Sequence, residues 1–256
     1  MGRKKAADKV EEAHEQAASL QDRIEKTRTR KNKYVLDLKV NSPASMGYLG
    51  VDGIDSAPAI VRLSKVKGLD VIAITDLYSG EFVDKMVKAA EGSPLTVIPG
   101  VSLRCKLGAC DDVILSCLFP ENTTTADINS FLSALKIPLL ARGNAQYVTT
   151  QSMDEIIQTL EAFSGLAIPT RIDKTPNRLS VLSELVEKYG FRTFDLAYVS
   201  SEELFQKRWP KTKFNLFSFS DANALAQIGS RIARVKLADP GFAAIKEMMG
   251  RQHVSM

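Results

Sequence analysis

Histidine is almost missing from this chain of 256 residues, which has only His14 and His253, one near each end. Between them no imidazole is available, which removes a Ser-His-Asp relay and any histidine-rich metal cluster from that stretch. Long apolar runs are also absent. No run reaches the 18 residues expected of a membrane span, and the charged N-terminus lacks the apolar segment of a signal peptide. Cys105, Cys110 and Cys117 are odd in number and clustered, which argues against a disulfide framework and for a reducing, cytoplasmic compartment. Their spacing is read as buried thiols rather than a metal site. Neither G-x-G-x-x-G nor G-x-x-x-x-G-K-[ST] occurs, so no dinucleotide or P-loop site is expected.

Charge is unevenly placed. Residues 1–33 carry ten basic and six acidic side chains, an excess equal to the +4 of the whole chain. The remaining chain is formally neutral, so nucleic acid is expected to be contacted only through this basic leader. Residues 3–30 lack Gly and Pro and are rich in helix formers. Val10, Ala13, Ala17, Leu20 and Ile24 form a narrow apolar stripe at helical spacing. The leader either packs on the body, self-associates, or holds a protein partner or an anion.

From residue 34 the pattern alternates. The sequence predicts strands near 34–40, 70–75, 95–101, 113–118, 165–170, 193–199 and 214–220. Helices are predicted near 55–67, 81–91, 125–136, 152–163, 178–189, 201–208 and 239–249. Ser152 and Glu155 have the form of a capping box. The near-continuous apolar strands, such as "DVIAITD" and "DVILSCLF", imply a parallel α/β sheet or barrel covered on both faces. No linker divides residues 34–250, and residues 251–256 form a tail. Residues 139–150 read either as a lid over the barrel mouth or as an exposed connection. Trp209, amid "WPKTK", reads as an ordinary loop with a half-buried ring.

In such architectures chemistry collects at strand ends. Those ends read "DLKVNS", "TDL", "PGVS", "IPTRID" and "SDAN". In this order they resemble the motifs of the PHP (polymerase and histidinol phosphatase) family, D-L-H-x-H-(S/T), T-D-H, P-G-(V/I)-E, a later "IPAHID" type and S-D-A-H. The resemblance spans roughly residues 34–249. It implies a distorted (β/α)7 barrel with an N-terminal helical extension, and in working relatives two or three metal ions that hydrolyse phosphoesters.

The departures matter more. Where the family has histidines this chain has Lys39, Asn41, Leu77, Arg171 and Asn223, and where it has a glutamate this chain has Ser102. Asp37, Asp76 and Asp221 remain, too few donors for a multi-metal site. Lys39 and Arg171 place fixed positive charge where a dication would sit. The expectation is therefore no metal, no cofactor and no catalytic residue, with both cations neutralising Asp37, Asp76 and Asp221. Ser42, Ser45, Ser102 and Ser220 are nucleophiles without an imidazole, and a Ser102–Lys39 pair is the one base arrangement left. The leading reading is an inactive PHP-like scaffold or partner-binding module. The alternatives are a protein that binds phosphate-like anions through Lys39, Arg171 and Asn41, and a phosphoesterase with a rebuilt site.

Overall fold

The apolar runs become strands of one eight-stranded sheet that curls into a barrel. The structure, a computed structural model, describes residues 31–251, so the leader stripe and most of the tail lie outside the described residues. The strands are β1 (Asn32–Val40), β2 (Val71–Ile74), β3 (Thr96–Leu107), β4 (Cys110–Leu118), β5 (Leu166–Thr170), β6 (Thr193–Asp195), β7 (Asn215–Phe217) and β8 (Ala233–Leu237). Their order across the sheet is β7-β6-β5-β4-β3-β2-β1-β8.

Helices α1 (Ser56–Val66), α2 (Val83–Ala90), α3 (Thr125–Ala134) and α4 (Met153–Ala162) come first. They are followed by α5 (Pro176–Ser180), α6 (Leu182–Glu187), α7 (Glu202–Arg208) and α8 (Phe242–Met249). The Ser152–Glu155 box does start α4. The single helix expected over 178–189 is instead two, broken at Val181.

Two features depart from the expected parallel sheet. β4 runs antiparallel to both β3 and β5, because the β3–β4 connection is a tight turn at Gly108 (φ 54°) with no crossover helix. β8 was not expected at all. It pairs antiparallel with β1, Asn32 facing Leu237 through Leu36 facing Ala233. The second edge of β1 is thus shared. β8 takes its lower half, while the segment after β7 takes the upper half through Asn41 N–H to Ala222 C=O (2.9 Å) and Ala222 N–H to Lys39 C=O (3.3 Å). That junction closes the barrel at its mouth.

Inside, Leu36, Leu38, Val71, Ile98, Ile168 and Phe219 fill the lumen, and α8 plugs the bottom with Phe242, Ile245 and Met249. The remaining helices cover the outside, α1 and α2 over β1–β3 and α3 to α7 over the β3–β4 hairpin and its neighbours. Residues 139–150 form a connection exposed at Leu139 and Leu140 but fastened at its main chain. Gly143 N–H donates to Leu77 C=O (2.7 Å), Met46 N–H to Gly143 C=O (3.0 Å) and Thr149 N–H to Arg104 C=O (2.9 Å). The buried Tyr78 hydroxyl bridges the Arg104 and Tyr147 main chains. The loop is a fastened rim.

Gly100 sits where β3 passes closest to both neighbours. A Cβ there would lie 2.9 Å from the Ile74 carbonyl oxygen and 3.0 Å from that of Cys117. Gly100→Ala is expected to force main-chain movement and lower stability by about 1–3 kcal/mol, as overpacked interiors do. Urea unfolding of the purified variant measures this, and an unchanged midpoint would show that the sheet yields without strain.

Candidate functional site: a filled barrel mouth

Four carboxylates converge at the strand ends, and the fold satisfies them in different ways. Asp37, fully buried on β1, accepts Ser220 N–H on Oδ1 and Gly229 N–H on Oδ2, each at 3.1 Å. Asp76, just after β2 and equally buried, accepts Ser42 N–H (2.7 Å) and Ser45 Oγ–H (2.6 Å) on Oδ1, and Ser42 Oγ–H (2.6 Å) on Oδ2. Burial raises both carboxyls above the ordinary range, and these donors oppose the rise. Ser42 and Ser45 are thus ligands of Asp76.

The cations stand elsewhere. Lys39, 4% exposed, donates from Nζ to Ser102 Oγ (3.0 Å) and faces Asp221 Oδ1 at 3.6 Å. Arg171 places Nε 3.5 Å from Asp221 Oδ2 and 3.8 Å from Asp195 Oδ2. Its Nη2 donates weakly to the Phe219 and Ser220 carbonyls at 3.4 Å. Of the three carboxylates that Lys39 and Arg171 were expected to neutralise, only Asp221 is paired with them. Main-chain amides and serine hydroxyls hold Asp37 and Asp76, Lys39 acts on Asp76 only through the field, and Arg171 also pairs with Asp195.

Asp195, at the end of β6, was missed from the sequence. Its Oδ1 accepts Phe219 N–H (2.8 Å), whereas its buried Oδ2 has no hydrogen bond. Burial pushes its carboxyl up to about 7 despite the nearby Arg171 and Lys39. The available signal was its place: like the other three, it is an aspartate ending an apolar run.

Of the other expected site residues, Asn41 Nδ2 donates to Asn223 Oδ1 (3.0 Å), tying the β1 exit to the segment after β7. Leu77 bridges Ser102 in parallel pairing and packs into the outer core. Ser102 is fully buried beneath Lys39. The Ser102–Lys39 contact therefore exists, but the lysine is its donor and faces a carboxylate, so it does not act as a base on a reachable nucleophile. Tyr78, Arg171 and Asp221 each hold φ 52°. A non-glycine residue there costs about 1–2 kcal/mol, so part of the strain in this backbone is stored near the mouth, with Lys136 and Ser164 holding similar angles after helices.

This set does not fit a metal cluster. Asp37 and Asp76 spend their oxygens on internal donors, Asp221 turns each oxygen to a cation, and Ser102 is taken by Lys39. Among the described residues no group of three His, Cys, Asp or Glu side chains is placed to hold an ion. The three cysteines are buried, and burial pushes the Cys105 thiol up to about 12.

No family model matches the chain, and no curated sequence matches it either. Solved structures share its fold. A lesion-specific endonuclease, PfuEndoQ from Pyrococcus furiosus, superposes with a TM-score of 0.65 at 18% identity over 85% of this chain and 56% of that one. Endonuclease Q in complex with a 27-mer duplex bearing an abasic lesion gives 0.61 at 18%, over 86% and 58%. An amidohydrolase from Chromobacterium violaceum, with bound sulfate and no metal, gives 0.55 at 12%, over 77% and 90%. This chain thus spans somewhat more than half the length of the endonuclease chains. These likenesses show the α/β barrel fold. No helix among the described residues is long and apolar enough to cross a membrane.

The raised carboxyl of Asp195 has a signed consequence. The folded state keeps this proton up to about pH 7, whereas an unfolded aspartate loses it near about 3.9. Its contribution to stability is full below about 3.9 and lost as pH rises through about 7, at up to about 1.4 kcal/mol per pH unit. Asp195→Asn removes the titration while keeping an acceptor for Phe219 N–H. The stability of the variant relative to the parent is expected to rise steadily from pH 4 to pH 7 in urea melts, and parallel profiles would refute the assignment.

Proposed function

We propose that this chain is a PHP-type barrel whose metal-bearing mouth has become an internal ion-pair network, and that it works as a non-catalytic scaffold or partner-binding module. One observation carries this reading: both carboxylate oxygens of Asp221 face built-in cations, Lys39 at 3.6 Å and Arg171 at 3.5 Å. A dication brought near either would meet repulsion on the order of 8 kcal/mol at about 4 Å and an effective dielectric near 20. Burial supports it too, since Asp37, Asp76 and Ser102 are inaccessible and Lys39 nearly so. Within this reading residues 1–33 are the attachment element, through self-association or a protein partner, and residues 34–250 are the body.

A second reading, that the mouth takes a phosphate-like anion, rests on the buried Arg171 Nε, which has no hydrogen-bond acceptor. Charge opposes it. Even with Asp195 protonated, the three other aspartates of the mouth outnumber its two cations, so an anion would meet no surplus of positive charge. Isothermal titration with inorganic phosphate decides between the two: no heat is expected, and saturable binding lost in Arg171→Met would favour the anion.

Assays on phosphomonoester, phosphodiester and abasic-site DNA substrates with manganese, zinc or iron are expected to show no turnover above buffer. Elemental analysis is expected to find no stoichiometric metal. Turnover that disappears in Asp76→Asn would establish a rebuilt hydrolase instead. Lys39→Met is expected to lower unfolding free energy by about 3 kcal/mol, because it strands Asp221 beside a single cation. A variant as stable as the parent would show that the network does not hold the mouth.

A further inference from the structure

The strand that the sequence did not predict creates a surface of its own. β8 alternates strictly, with Ala233, Val235 and Leu237 facing the lumen and Arg234 and Lys236 exposed. In its antiparallel register Lys236 lies directly opposite Lys33, and Arg234 opposite Val35. Residues directly opposite share a face, so Lys33, Lys236 and Arg234 form one outward basic group. Arg234 and Lys236 are about 7 Å apart along the strand, from its rise of about 3.4 Å per residue. Lys67, exposed at the end of α1, packs beside Gly229 ahead of β8 and extends the group.

Among the described residues none of these four side chains forms an ion pair or a hydrogen bond, whereas many other surface cations of the body do. Like charges directly opposite in a ladder cost stability. Protection of a sheet edge would account for Arg234 and Lys236. Lys33 stands opposite Lys236 on the part of β1 that lies before its pairing with β2 begins at Leu36, and it adds a third cation to the same face.

We propose that the outward face of the β1–β8 ribbon, with Lys33, Arg234, Lys236 and Lys67, is a docking surface for the phosphate backbone of a nucleic acid. The face is exposed, its cations have no partner among the described residues, and they stand in a row. A polymer with one charge per about 1.7 Å of duplex axis offers matching phosphates along that row. The row is made of cations alone, the side chains that contact phosphates, so it positions a backbone. The surface lies outside the mouth, and the proposal holds whether or not the mouth is inert.

The test uses the full chain and a fluorescein-labelled DNA duplex of random sequence, read by anisotropy from low to physiological potassium chloride. Lys33→Glu/Arg234→Glu/Lys236→Glu is expected to weaken binding at least tenfold and to reduce the slope of log affinity against log salt by about 2–3. Lys33→Arg/Arg234→Lys/Lys236→Arg is expected to leave both unchanged. Charge reversal keeps the edge protected, so melting temperature should hold. If the triple variant does not fold, Arg234→Glu and Lys236→Glu singly should each lower the slope by about 1. Arg28→Glu/Arg30→Glu/Lys31→Glu is expected to keep the share of the slope contributed by the ribbon. The proposal is overturned if the parent does not bind at low salt, if ribbon reversal changes neither affinity nor slope, or if polyglutamate displaces the duplex as well as unlabelled DNA does.

Discussion

Everything at the barrel mouth is organised around Asp221, held between Lys39 on one oxygen and Arg171 on the other. The pairs tie three separate stretches of chain: β1, the end of β5 and the segment leaving β7. Two unit charges at about 4 Å interact by about 4 kcal/mol at an effective dielectric near 20, and desolvating both consumes much of that. In the function proposed here, the importance of the pairs lies less in net stability than in exclusion, with side-chain cations standing where a mobile ion or a substrate phosphate would need to stand. Arg171 and Asp221, which meet in one of these pairs, both hold left-handed backbone.

The other three carboxylates show why two cations suffice. Asp37 and Asp76 are saturated by amides and hydroxyls, and each donor lowers the cost of burying their charge. Asp195 is not saturated. Its second oxygen lies 3.8 Å from Arg171 Nε without a hydrogen bond, so protonation is the cheaper way to bury it. Four aspartates are tolerated here by three different means, internal donors for Asp37 and Asp76, protonation for Asp195 and cations on both oxygens for Asp221.

Much of this was legible in the sequence, and what was not had physical causes. Seven strands and the mouth positions followed from apolar runs that end in Asp, Ser or Asn. The direction of β4 was hidden because a strand buried on both faces reads alike whether it runs parallel or antiparallel. β8 was hidden because "ARVKL" is short and half charged, although its alternation is that of a strand with one face in water. The partners of Asp37 lie 183 and 192 residues away, beyond any local pattern. Asp195 follows the same strand-end rule as Asp76 and Asp221, but it stands in a stretch without a motif to draw attention to it.

The neutrality of the body conceals a separation of charge. Beyond residue 33 basic and acidic side chains are equal in number. The mouth holds four aspartates against Lys39 and Arg171, an internal surplus of two acids. The rest of the body must therefore carry a matching basic surplus, and protonation of a buried aspartate only adds to the net positive charge. Potential outside a protein is set mainly by its exposed charges. A barrel that draws its acids inward to hold its own cations presents a positive exterior, and the unpaired row on β1 and β8 is a place where that surplus is concentrated.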